Sequence, residues 1–506
     1  MSIKAVVFTH IAVKPEEAGA TERAEGAFRL IDRAKPYFKA YLKCRNVGLV
    51  YAYVDVCTRM ILKELSALDF EGRINFSMMD LESEVRTRNC LKMASDQALH
   101  ELLNDPGIEF DQSQAPRFQF VGLPHLLSLF SALFRIDPSL IRDLAGEHRE
   151  LTYDSPKFVE AVIRLVRGAH AIHGRYPIFR FDEDVEVNEQ GITELLSAAT
   201  LAMHTNLFPY DFFSGRYGRA DGTSDPANDY AVRAHWLIHR ASGGLSDKGY
   251  RFLRDLGELG ATQLPTSAQM SDHMQKFVQD RRHGKSSNRK SPQVISGAGL
   301  YMSRSAIRVL PPFMNFNNAT TWVDDHLKRR LHEAVGHLTE SSLEQISAAR
   351  FLQNRHPAPV GVRDEDIEWA RTHYFKRVLR GCLIHSLVVR PDGSSGPLSE
   401  AITRMLDRGA SGLDDEDALK SVLVAAVRAT ANDVLSIWKN ADYGNSILSE
   451  WAVGAESRMD SVCNETVRDV LAYTRLVGHW PRYVNAIEKL TPVQAHWLFR
   501  RVEETV

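Results

Sequence analysis

Residues 176–188 read YPIFRFDEDVEVN, an apolar run that ends abruptly in Asp182, Glu183 and Asp184. Alternate side chains of an extended chain leave on the same side, so Asp182 and Asp184 can converge on one point while Glu183 points elsewhere. Two hard carboxylates at that spacing suit Mg²⁺ or Mn²⁺ whose remaining ligands are phosphate oxygens and water. The competing explanation is an acidic turn after an edge strand. Two further segments bear on the choice. Residues 294–307, VISGAGLYMSRSAI, read as a strand followed by small residues and a helix start, where Gly297 and Gly299 would let a ligand approach the backbone. Residues 320–336, TTWVDDHLKRRLHEAVG, put Asp324 and Asp325 at the start of a helix, whose partial positive charge favours carboxylates; helix capping alone also accounts for them. The segment 279–292, QDRRHGKSSNRKSP, is basic and almost without apolar residues, which fits either a solvated loop or a lid over an anionic ligand.

These residues need a scaffold. The first part of the chain alternates short β-branched or aromatic runs with amphipathic stretches, the pattern of βαβ units and a mainly parallel sheet. Strands are expected at 3–8, 48–56 and 74–79, with helices at 21–42, 58–68 and 83–103. The last of these begins SEVRTRN, which carries Arg86, Arg88 and Asn89 at the C-terminal edge of the sheet, where open α/β folds bind ligands. Residues 105–174 read as a mostly helical insertion, after which the sheet resumes at 176–181. A helix at 192–203 and a strand within LFPYDFFSGRYG follow. From 364 onward the pattern is helical, with one break at RPDGSSGP. There Trp369, Phe375, Leu379, Leu383, Val422 and Val427 have the spacing of core positions.

Composition narrows the classes. Sixty-two Lys+Arg against 64 Asp+Glu, with 44% hydrophobic residues, describe an ordinary soluble globular protein. A net charge of -2 supplies no long-range field toward nucleic acid or an anionic membrane, so no nucleic-acid partner is expected. Five scattered cysteines without a CxxC pair argue against a disulfide framework or a thiolate zinc site. The N-terminal apolar run reads as a first strand rather than a signal peptide, and the longest apolar stretch, 121–134, is too short to span a bilayer. A cytoplasmic location without a transmembrane segment is the expectation.

Taken in order, four of these segments resemble nucleotide-sugar-dependent glycosyltransferases of the GT-A fold, most closely the large inverting group. They are the helix with Arg86, Arg88 and Asn89, the DxD of Asp182 to Asp184, the small residues around Gly297, and the acidic pair in WVDDHLKRRL. The resemblance implies an α/β fold: a GT-A (Rossmann-like), mainly parallel sheet with the helical insertion at about 105–174, plus a C-terminal α-helical domain. The catalytic domain would be 1–345 and the helical accessory domain 346–506, which matches no motif of the family and would support acceptor binding or oligomerisation. It further implies that Asp184 binds Mn²⁺ or Mg²⁺ directly and Asp182 through water or the ribose hydroxyls. Arg86, Arg88 and Asn89 would line the donor pocket, and Gly297 would abut donor and acceptor. Asp325 would be the general base, with Asp324 capping the helix or binding a sugar hydroxyl. A third metal ligand, often a histidine beyond the acidic pair, would be His356 in QNRHPAP. The donor is a nucleotide sugar, and the acceptor a glycan, a lipid-linked acceptor or a small molecule. Two other readings compete. A haloacid-dehalogenase-like phosphotransferase also places DxD after a strand, but wants Thr or Val where Glu186 stands. A non-catalytic helical interaction protein would use the acidic clusters only as caps and solubilising charges.

Overall fold

A computed structural model describes residues 4–11, 40–54, 117–121, 129–140 in part, 156–169, 177–182, 185–204, 212–219, 299–311, 331–332, 343–353, 375–390 in part, 394–408, 416–439 and 447–495. The strands are β1 (Ala5–Ile11), β2 (Val47–Val54), β3 (Arg117–Val121), β4 (Ile178–Asp182), β5 (Val185–Glu186), β6 (Phe212–Arg219), β7 (Leu300–Met302) and β8 (Leu343–Gln353). The helices are α1 (Pro156–Ala169), α2 (Glu189–His204), α3 (Arg304–Val309), α4 (Phe375–Val388), α5 (Pro397–Arg408), α6 (Glu416–Lys439) and α7 (Ile447–Glu488).

The strands form one sheet in the order β3-β2-β1-β4-β7-β6-β8-β5. The run from β3 to β4 is parallel. β7 is antiparallel to both β4 and β6, β6 and β8 are parallel, and β5 is antiparallel to β8. The fold is therefore α/β with a mixed sheet. β1, β2 and β4 read as nearly continuous apolar runs because both of their faces are covered. Val6, Phe8, Leu49, Tyr51 and Ile178 belong to the core shared with α1, while Val7, Val50, Ala52, Phe179 and Phe181 fill the opposite face.

The sheet curls back on itself. Asp182 ends β4 and Val185 begins β5, a chain separation of three residues that spans at most about 11 Å. Yet β5 pairs with Leu352 and Gln353 at the end of β8. The end of β8 therefore lies beside the tip of β4, where the rings of Phe351 and Phe181 meet edge-on at 4.9 Å.

The described residues bear on four expectations. The stretch 105–174 is not only helical: RFQFV forms β3, which satisfies the open edge of β2. The proposed boundary at 345/346 falls inside β8, and α4 to α7 share one core with β1, β2, β4 and α1. Gly299 turns the chain with φ +67° just before β7, so a short strand stands between the small residues and the helix start at Arg304. Val422 is not a core residue but 52% exposed, whereas Val427, Leu379 and Leu383 are fully buried. The expected strand at 74–79, the helices at 58–68 and 83–103, and most of the helix at 21–42 lie outside the described residues.

α7 ties the layers together. Trp480 Nε1 donates to the carbonyl of Ile307 at 2.6 Å, satisfying an acceptor that the last turn of α3 leaves open. The Tyr473 hydroxyl donates to the carbonyl of Pro311 and the Tyr483 hydroxyl to that of Leu140. Glu488 accepts from Arg304 at 2.8 Å and Arg308 at 2.7 Å, so both basic residues of α3 close on one carboxylate. Gly168 leaves room for Arg304, whose Cδ would lie 2.7 Å from any added Cβ. Among the described residues no helix is long and apolar enough to cross a membrane.

Candidate functional site

The C-terminal ends of the parallel strands place four residues side by side. Val121 of β3 faces Tyr53 of β2, Tyr53 faces His10 of β1, and His10 faces Asp182 of β4. Neighbouring parallel strands lie about 4.8 Å apart, so this row is continuous. It runs from the core to solvent: Val121 and Tyr53 are buried, His10 is half-buried and Asp182 is exposed. The His10 and Tyr53 rings lie 5.9 Å apart, tilted by 35°.

The row crosses the point where the topology reverses. From β1 the chain moves outward through β2 to β3, then returns to β4 on the other side of β1. Open α/β sheets take ligands in the crevice outside the carboxyl ends of the strands at such a reversal. His10 and Asp182 flank it.

Beneath the row, on the opposite face, Tyr41 is fully buried and its hydroxyl is hydrogen-bonded to the side chain of Thr9. Burial first, and then the nearby Cys44 and Asp182, hold that phenol well above its usual pKa, so Tyr41 stays neutral. Cys44 is likewise buried; burial, followed by the charge of Glu189, pushes its thiol up to about 12. A thiol held protonated in this way is a poor nucleophile at neutral pH. Asn188, at the end of the acidic segment, accepts from the Gly191 amide at 2.7 Å and so caps α2.

Two glycines allow the elements around Asp182 to meet. A Cβ on Gly299 would lie 2.4 Å from Leu195 Cδ1, 3.1 Å from Phe351 and 3.3 Å from Phe181, and its positive φ already disfavours side chains. A Cβ on Gly191 would lie 2.7 Å from the Phe351 ring. Gly299 therefore packs against the strand that ends in Asp182, at the residue before it.

Of the site residues expected from the sequence, only Asp182 is described; Arg86, Arg88, Asn89, Asp184, Gly297, Asp324, Asp325 and His356 lie outside the described residues. Asp182 offers the hard oxygen that Mg²⁺ or Mn²⁺ prefers. The described residues by themselves contain no group of three or more His, Cys, Asp or Glu able to hold a metal ion. His10 and Tyr53 were not among the residues expected from the sequence. A signal was present for His10, a polar residue near the end of the buried run AVVFTH, the same kind of break that singled out Asp182. Compared with models of known protein families and with curated proteins, the chain matches none.

Proposed function

We propose that the chain is a metal-dependent glycosyltransferase of the GT-A kind, moving a sugar from a nucleoside-diphosphate donor to a hydroxyl acceptor with inversion. The observation that carries this reading is the position of Asp182, which ends β4 beside His10 at the reversal point of the sheet, with Gly299 packed against the preceding Phe181. A carboxylate in a ligand crevice suits an anionic diphosphate when a divalent cation lies between them.

In this reading Asp184 and Asp182 hold Mn²⁺ or Mg²⁺, with His356 as the third ligand. When bound, the metal offsets the negative charge that grows on the leaving diphosphate. Arg86, Arg88 and Asn89 line the donor pocket, and Gly297 lets donor and acceptor approach the backbone. His10 borders the same crevice beside Asp182. Asp325 takes the proton of the acceptor hydroxyl, whose pKa lies far above neutral, while Asp324 caps its helix or binds a sugar hydroxyl. The inverting outcome rests on the resemblance of this acidic pair. Acceptors of the class are glycans, lipid-linked acceptors or small molecules.

Thermal shift with UDP-, GDP-, ADP- and TDP-sugars, with and without Mn²⁺, tests the reading, because a ligand that binds only the folded state raises its apparent stability. One donor class is expected to raise Tm, and only with metal; no shift with any donor sinks the proposal. With that donor, Asp182→Asn should remove most of the metal-dependent shift. Asp325→Asn should keep the shift while turnover falls by about 10²- to 10⁴-fold, the usual contribution of a general base. Unchanged turnover would refute the role of Asp325.

A further inference from the structure

The middle of α1 buries two opposite charges one helical turn apart, Glu160 and Arg164. Arg164 Nε and Nη2 both donate to Glu160 Oε1, at 2.9 and 2.7 Å, and this two-point contact fixes the plane of the guanidinium. Its other N–H groups turn toward the sheet. Nη1 donates to the carbonyl of Ile178 at 2.7 Å and reaches that of Met302 at 3.3 Å, and Nη2 reaches that of Leu300 at 3.4 Å. Ile178 opens β4, the strand that ends in Asp182; Leu300 and Met302 are the first and last residues of β7, directly after Gly299.

One guanidinium therefore bridges two strands along a short seam. The β4–β7 pairing is limited to Phe179 with Tyr301 and Arg180 with Leu300. Glu160 also faces the β4 side chain of Arg180, with Oε2 at 3.9 Å from its Nη1. A buried ion pair contributes no more to stability than well-packed apolar side chains of the same volume. Apolar side chains cannot, however, grip three main-chain carbonyls from two strands in one plane. A lysine cannot either, because its ammonium is a point charge on a flexible stem.

We infer that Arg164, oriented by Glu160, is a positioning residue that holds the segment from Gly299 to Met302 in fixed register with the acidic end of β4. What it positions for chemistry rests on the glycosyltransferase reading; the clamp itself does not. Two measurements on the full chain separate the two claims. Glu160→Gln/Arg164→Met removes both charges of the helix pair together, and Arg164→Lys keeps the charge but not the fork. Native-state hydrogen exchange should accelerate at least tenfold at the amides of 178–182 and 299–302 in both variants, while the amides of β2 keep wild-type protection. Should the double variant not fold, Arg164→Lys decides alone. Wild-type exchange at 299–302 in a folded variant overturns the inference. For the donor identified by thermal shift, the same variants should weaken metal-supported binding at least tenfold, and unaltered affinity likewise overturns a positioning role. If the wild type binds no donor, the proposed function fails while the exchange result still decides the clamp.

Discussion

Asp182 and Gly299 show how single residues set the geometry of this edge. Gly299 combines a positive φ with one neighbour, Leu195, closer than an added methyl group allows and two more in tight contact. Gly299→Ala should therefore cost about 2–4 kcal/mol, the sum of a left-handed backbone penalty and overpacking against Leu195, Phe351 and Phe181. Urea unfolding at neutral pH measures it, and a loss below about 0.5 kcal/mol, the range of a neutral surface change, would contradict the packing described. The end of β4 at Asp182 was legible in the sequence, because a charge marks where the buried apolar run stops. The row it completes was not. Tyr53, His10 and Asp182 are brought together by strand order and register, and neither is encoded locally in segments so far apart in the chain.

Among the elements, legibility followed burial. β1, β2 and β4 are mostly apolar and buried, and α1 and α4 carry apolar stripes, so their patterns could be read directly. β8 could not: LEQISAARFLQ contains Ala, Gln and Glu, which suit a helix, and it is extended because β6 and β5 pair with it. The pairing of α6 with α7 supplies a pH prediction. Arg475 of α7 donates two hydrogen bonds to Glu416 at the start of α6. This contact, above all its hydrogen bonding, holds the Glu416 carboxyl below its usual pKa. The folded value thus lies below the unfolded one, so the contribution is present above the ordinary carboxylate range, about pH 4, and is lost as pH falls through the depressed value. The Glu416 side chain is 38% exposed, which screens the pair and limits it to about 0–1 kcal/mol. Glu416→Gln should lose that amount at neutral pH and nothing at a pH below the depressed value. Paired urea melts at the two pH values check this, and an equal loss at both would contradict it.

At the scale of the whole molecule, the C-terminal helices are part of the core rather than an appendage. Trp480, Tyr473 and Glu488 satisfy or clamp groups on and around α3, and the buried Arg380 of α4 pairs with Asp469 of α7. A chain cut to residues 1–345 is accordingly expected to lack a cooperative unfolding transition and to bind a hydrophobic dye at neutral pH. A sharp melt of that fragment would show that the sheet stands alone. The same feature governs how the chain must fold. Trp480 reaches back 173 positions to Ile307, and Arg482 reaches back 345 to Asp137. Such separations are expected to slow folding, because loop closure precedes any reward from contact. During synthesis the N-terminal strands emerge first at about 5–20 residues per second, so their apolar faces wait many seconds for α7. That interval makes the unfinished sheet a natural client for chaperones, and ties the yield of folded protein to its last helix.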